Sequence, residues 1–200
     1  ATDTDGLTDS DQINFTVNGV PSTPVITIDP TSPYTTDALN LVLQTPSIDP
    51  EGTLPSYTYE WLLEGQVQTA YITSTLPSSA TSKGEEWTLN VTPSDGLTTG
   101  TTASASVIIQ NTPPVMSSVS ISPSTISAST YYIGCTPVSS DVDGDTVTHS
   151  YAWYIDGILQ NGEIYNTFLM SWEAGTEVTC RATPNDGTVD GNYLEASVIV

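Results

Sequence analysis

The stretch Thr58-Tyr59-Glu60-Trp61-Leu62-Leu63-Glu64-Gly65 returns as Ser150-Tyr151-Ala152-Trp153-Tyr154-Ile155-Asp156-Gly157, with the two tryptophans 92 residues apart. Apolar and polar residues alternate in both copies and then stop at an acidic residue followed by Gly. Such a pattern predicts a half-buried strand running into a hairpin turn, where Gly supplies a positive φ. Working outward, Asp49-Pro50-Glu51-Gly52 aligns with Asp141-Val142-Asp143-Gly144, and Val91-Thr92-Pro93-Ser94-Asp95-Gly96 aligns with Ala182-Thr183-Pro184-Asn185-Asp186-Gly187. An Ala-Ser-Val-Ile strand follows each of the last two, at 105–108 and 196–199. One repeat therefore occupies about 91–92 residues.

The Asp-Gly landmark occurs a third time at Ala1-Thr2-Asp3-Thr4-Asp5-Gly6, ahead of the alternating run Ile13-Asn14-Phe15-Thr16-Val17. We expect residues 1–19 to be the final strand of a preceding repeat, 20–110 to be repeat 1 and 111–200 to be repeat 2. The first of these strands would pair with a neighbouring repeat or copy. Val20-Pro21-Ser22-Thr23-Pro24 and Asn111-Thr112-Pro113-Pro114 read as stiff, extended connectors, because proline fixes φ and removes a backbone donor. In the second repeat, turn spacing predicts strands at 115–122, 131–138, 147–155, 158–161, 164–170, 177–184 and 193–200. Seven short strands per repeat make the chain all-β, a pair of sandwiches in series, with no long helix expected.

The chain has 2 Lys+Arg against 23 Asp+Glu, a formal charge of −21. Such a surface repels nucleic-acid phosphates and anionic membranes. No run of 18 apolar residues is present, so no segment is expected to insert in a membrane, and nothing at the start resembles a signal peptide. A chain beginning Ala1-Thr2-Asp3 reads as processed or as a segment of something longer.

The two cysteines fall in one repeat with a tryptophan between them, in the order Cys135, Trp153, Cys180. This arrangement resembles the immunoglobulin fold, which implies a Cys135–Cys180 disulfide across the sandwich with Trp153 packed on it. Two buried free thiols are the alternative. Repeat 1 places Leu43 and Leu89 at the corresponding positions. Val178 and Trp87 stand where the antibody-type pattern has a tyrosine two residues before the second cysteine. The segments "NTPPV", "DVDGDT", "YAWYIDG" and "TPNDGTVDG" are similar to the tandem immunoglobulin-like, PKD-like and cadherin-like modules of large bacterial and archaeal surface proteins. That resemblance implies an extracellular stalk, filament shaft, adhesin spacer or linker of a secreted hydrolase.

Asp141-Val142-Asp143-Gly144-Asp145 sets three carboxylates at alternate positions, a donor set for a hard cation that needs six to eight oxygens. It is no EF-hand, since Ala152 stands where the bidentate Glu belongs. In an immunoglobulin-like sandwich Asp141, Asp143, Asp145 and Asp186 should converge beside Asn111 to Pro114, and Asp49, Glu51 and Asp95 beside Pro21 to Pro24. Calcium that stiffens each junction is one reading, and solvated Asp-Gly turns are the other. Asn14 and Asn90 open glycosylation sequons. His149, the single histidine, shares a strand face with Val147, Tyr151 and Trp153 and reads as a partly buried rim residue. There is no paired-carboxylate cleft, phosphate loop, serine elbow or C-x-x-C motif, so no enzyme is expected. The sequence thus points to a structural extracellular repeat module in a shaft or stalk. An adhesin or carbohydrate-binding accessory module is the alternative, for which Trp172 and Tyr131-Tyr132 are the aromatics whose exposure matters.

Overall fold

The computed structural model describes residues 17–169 and 173–200. The expected strand within 1–18, with Ile13, Asn14 and Phe15, falls almost wholly outside the described residues, as does Trp172. Among the described residues there are fourteen strands and one 3-10 turn, at Ser78–Ala80.

The chain divides into two compact units. The first holds Leu39–Leu76 and Glu86–Val107 with the residues up to Thr31, and the second holds Ile108–Val200 with the segments Ser32–Ala38 and Pro77–Glu85. Repeat 1 contributes β1 (Val25–Asp29), β2 (Leu39–Thr45), β3 (Ser56–Leu63), β4 (Gln66–Val67), β5 (Thr75–Leu76), β6 (Glu86–Ser94) and β7 (Ala103–Ile108). Repeat 2 contributes β8 (Val115–Ser122), β9 (Tyr132–Ser140), β10 (Thr148–Ile155), β11 (Ile158–Leu159), β12 (Thr167–Leu169), β13 (Glu177–Asn185) and β14 (Leu194–Ile199). Each repeat forms a three-stranded sheet, β1-β2-β5 or β12-β9-β8, and a four-stranded sheet, β4-β3-β6-β7 or β11-β10-β13-β14. The nine pairings β1–β2, β2–β5, β3–β4, β3–β6, β8–β9, β9–β12, β10–β11, β10–β13 and β13–β14 are antiparallel. Each repeat is an immunoglobulin-like sandwich.

Alternation puts the core where the pattern predicts it. In β13 every second residue is buried, Val178, Cys180, Ala182 and Pro184, and β6 repeats this with Trp87, Leu89, Val91 and Pro93. Trp61 and Trp153 are fully buried. Each removes roughly 150–250 Å² from water, worth about 4–6 kcal/mol at ~25 cal/mol per Å². Each indole must also satisfy its N–H. Trp61 Nε1 donates to the Thr73 carbonyl and Trp153 Nε1 to the Tyr165 carbonyl, both at 2.9 Å. β12 begins at Thr167 rather than at 164, and ahead of it the exposed Tyr165 gives only its carbonyl to the Trp153 indole.

Cys135 and Cys180 are bonded, with Cα atoms 6.3 Å apart, and they tie β9 to β13 across the sandwich. Trp153 lies opposite Cys180 in register and stacks, tilted, on Phe168 at 5.3 Å. The sheet register corrects one position in repeat 1. Ile121 faces Cys135 in repeat 2, and its counterpart Ile28 faces Leu41 in repeat 1, so Leu41 rather than Leu43 stands in the cysteine's place. Both backbone N–H groups confirm the equivalence, since Cys135 donates to Asn166 O and Leu41 to Ser74 O. The count from sequence slipped because the stretch from this position to the tryptophan is two residues longer in repeat 1, 20 against 18. Repeat 1 fills its core instead with Trp87, edge-on to Tyr71 at 6.1 Å.

Candidate metal centres

In the second unit the β9–β10 loop, the β13–β14 loop and the connector before β8 meet at one end. Asp141 opens the first loop, and its Oδ1 accepts the backbone N–H of Asp143 at 2.8 Å and of Asp145 at 3.3 Å. This local turn folds the carboxylates toward one another. Asp186 acts alike in the second loop, where its Oδ1 accepts from the N–H of Thr188 and Val189 and from the Thr188 hydroxyl, at 2.7–2.8 Å. One carboxylate oxygen each from Asp141, Asp145 and Asp186 lies within 4.8 Å of the others. Oxygens sharing one Ca²⁺ at about 2.4 Å are at most about 4.8 Å apart, so this spacing suits a common ion. Asp143 stands beside this trio. Its Oδ2 accepts the N–H of Thr112 at 2.7 Å, and its Oδ1 is buried without a partner among the described residues.

Asn111 completes the cluster from the connector. Its amide donates to Asp186 Oδ2 at 2.7 Å and to the Thr188 hydroxyl at 3.1 Å, while its Oδ1 is buried without a partner among the described residues. Asp141 Oδ2 is orphaned in the same way. Hydrogen bonds, the Asn111 amide first, hold the Asp186 carboxyl well below the usual carboxylate range. Lys83, the chain's single lysine, places its ammonium on Asp145 Oδ2. That hydrogen bond, followed by the charges of Asp145, Asp143 and Asp141, raises the lysine's pKa.

The first unit repeats the arrangement with fewer charges. Asp49 Oδ1 accepts from the N–H of Glu51 and Thr53 at 3.0 and 3.1 Å, and Asp95 Oδ1 from the N–H of Leu97 and Thr98 at 2.7 and 2.6 Å. Asn18 donates to Asp95 Oδ2 at 2.8 Å, and the Gly19 N–H to Glu51 Oε2 at 2.9 Å. The Thr98 N–H first, then Asn18, lowers the Asp95 pKa far below its ordinary value. Thr53 stands where repeat 2 has Asp145. Asp49, Glu51 and Asp95 form no trio as close as that of the second unit among the described residues. Asp49 is nonetheless only 3% exposed, and its Oδ2 has no partner among the described residues. A buried, unpaired carboxylate oxygen costs several kcal/mol unless a cation or a donor reaches it.

The second cluster thus brings three carboxylate oxygens close enough to share one hard cation, with the Lys83 ammonium on one of those carboxylates, while the first offers a buried Asp49 oxygen left open among the described residues. Sequence reasoning missed Asn18, Asn111 and Lys83. The two asparagines stand 93 residues apart ahead of the proline-rich connectors, a repeat signal as regular as that of the aspartates. Asn90, the described sequon, lies on β6, where its amide donates to Glu60 at 3.1 Å and its Oδ1 accepts the Ser104 hydroxyl at 2.7 Å. His149 is half-buried with a ring nitrogen 2.8 Å from Ser139 Oγ.

No protein-family model matches the chain, and no curated protein matches it. Among solved structures it is similar to the FN1–FN3 domains of chicken CNTN1, at 15% identity and a TM-score of 0.34, covering 90% of this chain and 67% of that one. It is also similar to the three N-terminal domains of the highly immunogenic outer capsid protein Hoc of bacteriophage RB49, at 17% identity and a TM-score of 0.38. That match covers 88% of this chain and 58% of the Hoc chain. At these identities the likeness concerns fold alone. Among the described residues no helix is long and apolar enough to cross a membrane.

Proposed function

We propose that this chain is a non-catalytic, extracellular module of a tandem-repeat surface protein, akin to PKD-like or cadherin-like spacers, and that calcium at the acidic end of each sandwich fixes the segment entering it. The carrying observation is the duplicated clamp. In each unit an asparagine from the entering segment sits on the loop aspartate, Asn18 on Asp95 and Asn111 on Asp186, beside a buried carboxylate oxygen with no partner. Two copies of one polar arrangement argue for a shared purpose more strongly than either alone. The disulfide supports an oxidising, extracellular setting. Neighbouring repeats or copies, joined end to end or by strand addition, would extend the chain into a shaft or stalk. Glycans at Asn14 and Asn90 belong to the same reading.

Titrating calcium into the metal-stripped chain tests the proposal. An ion bound only by the folded state at 100 times its Kd adds about 2.7 kcal/mol, so the melting temperature should rise and the connector Asn111 to Pro114 should become protected from proteolysis. Asp141→Asn with Asp145→Asn should abolish the response of the second sandwich, and Asp49→Asn that of the first. A parent chain indifferent to calcium returns both clusters to solvated turns. An adhesin or carbohydrate-binding role has one observation in its favour, the 73% exposure of Tyr131.

A further inference from the structure

The chain's one lysine sits on the second acidic cluster. The second unit takes in Pro77–Glu85 as well as Ile108–Val200, and within it Lys83 places its ammonium on Asp145 Oδ2. Asp145 is one of the three carboxylates whose oxygens lie within 4.8 Å of one another. The pair is not buried, since its two side chains are 35% and 28% exposed. It has the modest strength of a surface ion pair, and it can open.

Neither member of the pair has a counterpart in the other repeat. Thr53 stands where repeat 2 has Asp145. In the loop before β6, Gly84 donates to Ile109 O and Ile109 to Glu85 O. Before β13, Gly175 donates to Val200 O and Val200 to Thr176 O, so the residue equivalent to Lys83 is Ala174. The other acids correspond, Asp141 to Asp49, Asp143 to Glu51 and Asp186 to Asp95. Four carboxylates with one ammonium leave the second cluster at a formal −3, the charge of the three carboxylates of the first. Asp49, 3% exposed, uses Oδ1 for the N–H groups of its own loop and leaves Oδ2 buried and without a partner among the described residues. Asp141 uses and leaves open the same two oxygens, so the two clusters share one design and differ by the Lys83–Asp145 pair.

We infer that Lys83 is a tethered cation that gates the second metal site, lying on Asp145 while the site is empty and leaving it when a hard divalent cation binds. This rests on the calcium reading above and names how that site is regulated. Calcium needs six to eight oxygens, so it draws on every carboxylate of the trio. An ammonium offers only N–H donors and, as a like charge, repels the ion at close range. The two therefore compete for Asp145. By linkage one factor describes both how much the lysine weakens calcium binding and how much calcium frees the lysine. For an exposed pair that factor is about fivefold. In low calcium the lysine holds the loop carboxylates together, and it raises the calcium level at which the ion takes over.

Acylation of Lys83 by a water-soluble succinimidyl ester, read by peptide mass mapping of the full chain, tests the release directly, since there is no other lysine. Ionic strength is matched with NaCl, because screening alone loosens a surface pair. We expect the rate to rise about fivefold from chelator to saturating calcium, with the α-amino group unchanged. Calorimetric titration reads the other half, in an Asp49→Asn background that silences the first site. There Lys83→Gln should tighten calcium binding by the same factor, while Lys83→Arg, which keeps the charge, should leave it unchanged. Equal affinity in Lys83→Gln and its parent, or an acylation rate that calcium leaves unchanged or lowers, overturns the gate and leaves the calcium reading standing. Absence of calcium binding in both the parent and Lys83→Gln overturns the reading and the gate with it.

Discussion

Gly191 and Gly100 bring the connectors down onto the sandwiches at the scale of single atoms. A Cβ on Gly191 would lie 1.8 Å from the Pro114 carbonyl oxygen, and one on Gly100 would lie 2.3 Å from that of Pro21. Both obstacles are backbone, which cannot rotate away. Gly191→Ala should therefore destabilise the second unit by about 1–3 kcal/mol, seen as a lowered urea midpoint, and should loosen Pro114. His149 supplies a pH dependence of the opposite kind to an ion pair. Burial lowers its pKa below the ordinary 6.5, since the charged ring loses water. Its contribution is complete above about pH 6.5 and declines as pH falls through that value toward the folded pKa, because the unfolded chain then binds the extra proton. His149→Gln should flatten the stability curve below pH 6.5, measured by denaturant unfolding at a series of pH values.

Among elements, the β10–β11 hairpin and the β9–β13 bridge carry separable amounts of stability. Asp156 and Gly157 both have positive φ, 46° and 78°, and Asp156 Oδ1 also accepts the Glu177 N–H at 2.9 Å. Gly157→Ala should cost about 1–2 kcal/mol, the penalty of a left-handed residue with a Cβ, readable by the same unfolding assay. The disulfide closes 45 residues, worth about 4 kcal/mol on the chain-entropy account. Reduction should lower the transition of the second sandwich by up to that amount and leave the Trp61-centred core of the first untouched. A single transition that shifts as a whole would show that the two cores melt together.

At the scale of the whole molecule, 23 acids against 2 bases make self-repulsion a general tax on the folded state. Raising salt from about 0.01 M to 0.15 M shortens the screening length from ~30 to ~8 Å and should raise the melting temperature, by calorimetry, even in chelator. A chain insensitive to salt would mean that its carboxylates are already compensated locally. Much of this organisation was legible in the residues. The repeat, the strands, the Trp61 and Trp153 cores and the aspartates of the loops follow from periods of 2 and of about 92, because alternation and turn chemistry are local properties. What the linear order does not contain is which distant atoms finally meet. The placement of Leu41 opposite Ile28, the closure of Asn18 and Asn111 on loop aspartates some 75 residues later and the buried open oxygen of Asp49 all depend on sheet register and on packing across the sandwich. Those are decided only when both sheets close on a common core, since a shift of one residue in a strand turns all of that strand's side chains to the other face and moves the loops it carries.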